Sequence, residues 1–216
     1  MTLALLHPTL RAALRERLLT ASDVSHAPGV SVALASGIFT RASGSWLDAG
    51  FAAGAEVTVT GFSASPVVGI VQSVAALTLK TDIAGATTVG GGGLFEVKLP
   101  RDIAWEGIAF APTAGRPHVV ESFRPVGSLK RSVGRGGAIE HRTRASFLLT
   151  YPAQRGTLAI ERMAGALMKH FEPGAVTLSR AGVQGSIQNV DRTPLMFDGG
   201  WVTCSVGVEI LSWTLN

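Results

Sequence analysis

Residues 201–214 read WVTCSVGVEILSWT, and they set the architecture of the C-terminal half. Val202, Cys204, Val206, Val208 and Ile210 fall on one face of an extended chain, with Trp201, Thr203, Ser205, Glu209 and Trp213 on the other. Side chains of a strand alternate with a period of two, so this pattern predicts a strand with one face on a core. In front of it, Ile160, Met163, Ala164, Leu167, Met168 and Phe171 recur at helical spacing, and Pro173-Gly174 marks the stop of a helix over 158–171. Ala145, Phe147, Leu149 and Tyr151 alternate in a long strand over 140–151.

Further strands are predicted at 107–111, 118–123, 175–179 and 182–190, the second ending ahead of Pro125. A Gly-rich basic loop is expected over 126–137. At the other end of the chain Leu6, Leu10, Leu14 and Leu18 form an apolar stripe, which predicts an amphipathic helix over 8–20. Arginines punctuate those leucines, so the segment lacks the continuous apolar core of a signal peptide.

The texture changes over 29–99. Short Val-, Thr- and Phe-rich runs, EVTVTGF at 56–62, GIVQSV at 69–74 and LTLKT at 77–81, are separated by Gly and Ser turns. The glycines at 90–93 read as a turn or exit linker. The expected class is therefore α+β: an antiparallel or mixed sheet packed with two helices, from 1–28 and 100–216, plus an inserted all-β module, a small barrel or sandwich, at 29–99.

Composition narrows the function classes. The 216 residues are 46% hydrophobic and 16% charged, which predicts a folded chain, and no apolar run reaches the twenty or so residues of a bilayer span. Low charge with 26 glycines suits a subunit covered by neighbours. The lone Cys204 is expected to be buried and inert. VGGGGLF at 89–95 and GRGG at 134–137 lack the Lys and the following helix of a phosphate cradle. The five histidines include no pair at i, i+4, no serine sits in a nucleophile elbow, and no carboxylate pair stands out. No cofactor, no metal and no enzymatic activity are expected.

The formal charge of +4 is local: residues 124–144 carry a net +5 against −1 for the rest. Lys130, Arg131, Arg135, Arg142 and Arg144 are the candidate contact residues, read either as a solvated loop and strand or as a surface that docks a partner or faces a nucleic-acid channel. Trp213 is the candidate subunit-interface residue, with packing inside its own domain as the alternative.

IAWEGIAFAPTAGRPHVVESFRP at 103–125 resembles the opening strands of the phage tail terminator family. The strand ending in Tyr151-Pro152, the helix started by Gly156 and ended at Phe171, and the closing strand reached through FDGGW at 197–201 resemble that family in order. So does the N-terminal helix, and together these cover about two-thirds of the chain, 8–20 and 105–214. The module at 29–99 departs from the pattern, although FTRASGSWLDAG at 39–50 followed by VTVTGF is similar to small β modules of other phage tail proteins.

The resemblance implies a virion structural protein: a homohexameric ring on the head-proximal end of the tail tube that stops tube polymerisation and meets the head-completion or connector proteins. It implies assembly in the host cytoplasm, DNA passing through the lumen unread, and the basic segment on the tube or the lumen. Two rivals stand beside it, another neck or tail-tube component and a nucleic-acid-binding β module.

Overall fold

The structure, a computed structural model, describes residues 3–26, 31–62, 66–83, 88–91, 93–132, 137–153 and 156–215. Strand accounts for 51% of the chain and helix for 15%, organised as two helices and two large sheets. The expected α+β class is therefore corrected to a mainly β protein. Both expected helices are present among the described residues, while paired segments without apolar alternation add strands that the pattern did not announce.

The C-terminal sheet is built from β9 (Asp102–Ala104), β10 (His118–Lys130), β11 (Ala138–Pro152), β12 (Thr177–Arg180), β13 (Val183–Arg192), β14 (Met196–Asp198) and β15 (Trp201–Leu215). Its order is β12-β13-β15-β11-β10-β9, and β14 pairs β15 beyond the end of β13. β11 and β15 run antiparallel over their full lengths, from Ala138↔Leu215 to Pro152↔Trp201. All pairings are antiparallel except β9 with β10.

β10 does not stop at Pro125. The register with β11 shifts between Pro125 and Gly127, so the residue without an N–H sits at a bulge and the strand continues to Lys130. The segment predicted as a strand at 107–111 has no pairing partner; a three-residue strand at 102–104 lies parallel to β10 instead.

One face of this sheet is covered by α1 (Leu3–Leu18) and α2 (Leu158–His170). Leu6, Leu10, Leu14 and Leu18, one turn apart, are all at most 1% exposed. Full burial of each is worth roughly 1.5–3 kcal/mol, so a charge at Leu14 would unseat the helix. α1 crosses close over β13 because Gly185 has no side chain: a Cβ there would lie 2.8 Å from Leu10 and from Ile210. α2 buries Ile160, Met163, Ala164 and Leu167, and Phe171 after its end stacks on Phe147 at 5.7 Å. Val202, Cys204, Val206, Val208 and Ile210 all face this core. The Cys204 thiol donates to the Thr193 carbonyl at 3.3 Å, and burial pushes its pKa up.

The other sheet comprises β1 (Ser22–His26), β2 (Val32–Ala35), β3 (Ile38–Arg41), β4 (Glu56–Thr60), β5 (Val67–Val74), β6 (Thr78–Thr81), β7 (Thr88–Gly91) and β8 (Leu94–Lys98). Its order is β1-β8-β4-β5-β6-β3-β2-β7. β5 pairs β4 through its first half and β6 through its second, bending at a register shift between Val71 and Ser73. The bend folds the sheet over an aromatic core in which Phe39 meets Phe95 at 5.2 Å and Phe95 meets Trp46 at 4.9 Å, all edge to face. The glycine run is part of this fold: residues 88–91 form β7, and a Cβ on Gly93 would lie 2.1 Å from the Phe62 ring.

The two sheets share one hydrophobic core. Arg162 of α2 joins them, its Nε 2.8 Å from Asp23 and its Nη1 donating to the Ala49 carbonyl at 2.8 Å.

Candidate interaction surface

Among the described residues no helix or strand covers the opposite face of the C-terminal sheet, although Phe110 lies against its His118 end, and the register states what stands on it. Residues directly opposite each other share a face. Arg144 and Glu209 are opposed, as are Glu209 and Asn189, and Gly207 opposes Asp191. Leu129, Glu140 and Trp213 form one row across β10, β11 and β15.

The basic segment is largely neutralised by its own fold. Glu140, 3% exposed, accepts from Arg131 Nε at 2.6 Å and from Arg142 Nε at 2.8 Å. These two hydrogen bonds hold the Glu140 carboxyl below the usual carboxylate range. Arg144 donates through Nη2 to both Asp191 oxygens, at 2.7 and 2.8 Å, and through Nη1 to Glu209 at 3.0 Å. Asp191 first, then Glu209, push the guanidinium pKa further up. The bridge from Arg144 to Asp191 arches over Gly207, where a Cβ would stand 2.4 Å from Arg144 Nη2 and 2.7 Å from Asp191 Oδ1. Glycine leaves the space through which this ion pair crosses β15.

Lys130 lies at the hairpin tip, exposed, and neither it nor Arg124 has an ion-pair partner among the described residues. Arg135 lies outside the described residues. Trp213 stands on the open face, 49% exposed. The structure thus brings Arg131, Arg142 and Trp213 into adjoining rows at one end of the sheet and sets Arg144 farther along.

Sequence reasoning missed several members of this face. Asp191 and Glu209 lie 47 and 65 residues from Arg144, a distance at which charge patterning carries no signal. Met196, 56% exposed on β14, stands on this face opposite Thr203, whereas Phe197, 65% exposed, lies opposite Val202 on the helix side; both are apolar residues in a strand too short to bury them.

Behind the hairpin, on the helix side, lies a buried polar group. His141, 1% exposed, shares hydrogen bonds of 2.7 Å with Ser128 through Nδ1 and with Thr214 through Nε2. The His7 ring meets it edge-on at 6.4 Å. Burial lowers both imidazole pKa values, with His141 and Arg11 adding to the effect on His7. Farther along, Arg15 of α1 clamps Glu121, whose side chain is fully buried, and lies 4.8 Å over the Trp105 ring. Among the described residues no group of three or more His, Cys, Asp or Glu side chains could hold a metal ion, and no helix is long and apolar enough to cross a membrane.

Comparison with known proteins gives one informative match. A family model described as phage tail terminator protein covers residues 93–209, more than half of the chain and nearly all of the C-terminal sheet. No curated protein matches. A solved structure with no functional description aligns at a TM-score of 0.44 and 14% identity over 54% of this chain and 82% of its own, a likeness from which nothing is argued.

Proposed function

We propose a function from one premise: the chain belongs to the phage tail terminator proteins, the family whose model covers residues 93–209. That family is structural rather than enzymatic, which makes this a bacteriophage tail component. On that premise the protein assembles into a ring, six-fold by resemblance, that caps the head-proximal end of the tail tube and halts its polymerisation. The ring then offers its upper face to the head-completion or connector proteins, and DNA passes through its lumen without being read.

The family match carries the reading, and the open sheet face supports it. A subunit whose described elements leave most of a sheet face open and its end strands β12 and β9 paired on one side only has surface for neighbours on several sides. Lys130 and Arg135 at the hairpin are the cations assigned to the tube or lumen. Arg131, Arg142 and Arg144 serve the same surface as ion-paired scaffolding that fixes the hairpin. The module at 29–99 stands on the outer rim.

The test is electron microscopy of the purified protein, alone and with tail tubes. Rings in solution, or discs at one tube end with tubes of fixed length, are expected. Monomers under both conditions would refute the reading. Free subunits that bind DNA tightly with a steep salt slope would instead support a nucleic-acid module.

A further inference from the structure

β9 is too short to cover the edge on which it lies. It pairs with β10 at His118, Val119 and Val120 only, while β10 runs on to Lys130. A bare strand edge is a row of unpaired N–H and C=O groups that can take a strand from another molecule. Phe123 stands opposite Ala145 of β11, but its own N–H and C=O turn away from β11 toward that outer edge, and both are occupied. Glu106 Oε2 accepts from the Phe123 N–H at 2.7 Å, and Arg11 Nη2 donates to the Phe123 carbonyl at 3.3 Å. The same Nη2 lies 2.8 Å from Glu106 Oε2, and the Arg11 guanidinium sits 4.8 Å over the Phe123 ring. Glu106 is carried here by the turn after β9, in which the Ile108 N–H donates to the Trp105 carbonyl at 3.0 Å and the Glu106 N–H lies 3.3 Å from Glu121 Oε2. Two residues farther along the same edge Pro125 has no N–H to offer, and the bulge between Pro125 and Gly127 breaks the register beyond it.

We propose that Arg11 and Glu106 are a guard on this edge: one side-chain donor and one side-chain acceptor hold the places that a strand of a second copy would take, and so keep β10 from pairing with another molecule. The pair copies what a neighbouring strand supplies, an acceptor for the N–H and a donor for the C=O of one residue. A partly exposed ion pair adds little stability by itself, so closing the edge is the larger part of what these two side chains do. β9 before the guard and Pro125 after it close the adjoining positions, which leaves Phe123 as the place where the guard decides whether a strand can add. The inference goes beyond the ring reading and does not rest on it, because it states which contact the subunit avoids, whatever contact it makes.

The test is hydrogen–deuterium exchange of the Phe123 amide in the whole chain, read at single-residue resolution by mass spectrometry across about a hundredfold range of protein concentration, with light scattering in parallel. Glu106→Gln keeps an acceptor oxygen at the same reach and is expected to exchange Phe123 close to the wild-type rate. Glu106→Leu fills the space without an acceptor. In dilute solution it is expected to exchange Phe123 at least about tenfold faster, the factor that loss of one hydrogen bond to a carboxylate allows. As its concentration rises the amide should regain protection and the scattering mass should climb above that of wild type. A Phe123 amide in Glu106→Leu that exchanges at the wild-type rate in dilute solution would show that something else closes the edge. Fast exchange at every concentration would show that the open edge draws no second copy, and either result overturns the proposal. Protection of the β11 amides in the middle of the sheet reports that a variant is folded; where Glu106→Leu is not, Glu106→Ala puts the same question with less bulk. Rings or monomers of the wild type seen by microscopy decide the ring reading and leave these outcomes as they are.

Discussion

The clamp between α1 and the sheet gives the sharpest test of how this fold is held. Arg15 Nε lies 2.9 Å from each Glu121 oxygen, and its Nη2 also bonds Oε2. The Glu121 side chain is 0% exposed and Arg15 26%. Among the described residues the Glu106 N–H, 3.3 Å from Glu121 Oε2, adds to this support. Arg15→Met keeps a straight stem against Trp105 but leaves a buried carboxylate without its cation, which costs about 3–5 kcal/mol. Glu121→Gln leaves a guanidinium that can turn toward water, so it should cost about 1–2 kcal/mol. Arg15→Met with Glu121→Leu removes both charges and should return to within about 1 kcal/mol of wild type. The assay is urea unfolding followed by tryptophan fluorescence at one fixed protein concentration, since assembly itself adds stability. For a chain of this size the single Arg15 variant should melt roughly 6–20 °C lower. The reasoning fails if Arg15→Met lies within 1 kcal/mol of wild type, or if the double variant is no more stable than Arg15→Met.

Three further outcomes are expected. Gly207→Ala should be nearly neutral in the wild type, because about 0.5–1 kcal/mol gained from a less flexible chain offsets a lost, third-exposed ion pair of about the same size. In an Arg144→Ala background the same change should stabilise by about 0.5–1 kcal/mol, and equal effects in the two backgrounds, measured by urea unfolding, would count against the arching bridge. His7 and His141 both have folded pKa values below their unfolded ones, so the unfolded chain binds protons first and stability, full above about pH 6.5, falls as the pH drops below it. His7→Leu should flatten that slope between pH 6.5 and 5, and an unchanged slope in a pH series of thermal melts would contradict the assignment. Gly93→Ala drives a Cβ into the Phe62 ring and should destabilise the protein by about 1–3 kcal/mol, partly relieved by Phe62→Leu; a neutral Gly93→Ala would show that the aromatic core has room to spare.

What the sequence could and could not announce follows from how far each signal reaches along the chain. The α1 and α2 stripes and the alternation of β11 and β15 are local, and each element appears within two residues of where its period places it, except that α1 starts five residues earlier, with Pro8 inside it. β1, with the text SDVSH, has no apolar alternation; it exists because it pairs with β8, far along the chain, from Ser22↔Lys98 to His26↔Leu94. Similar short strands, with Gly and Ser between them, are what moved the class from α+β to mainly β.

Proline reads as a stop at 125 because it cannot donate to a ladder, yet a bulge removes that demand, and whether a bulge forms depends on the partner strand. The site shows the same division. Composition points to the run of cations at 124–144, but charge counting treats each as free. Once β11, β13 and β15 align, Glu140 takes up Arg131 and Arg142, and Asp191 and Glu209 take up Arg144. A run of net +5 in the sequence becomes a surface whose unpaired described cations are Lys130 and Arg124, and on which the half-exposed Leu129 and Trp213 stand among ion-paired arginines. That shift in character, from a run of free cations to ion pairs interleaved with half-exposed apolar side chains, removes most of the positive charge that a nucleic acid backbone would need at this end of the sheet.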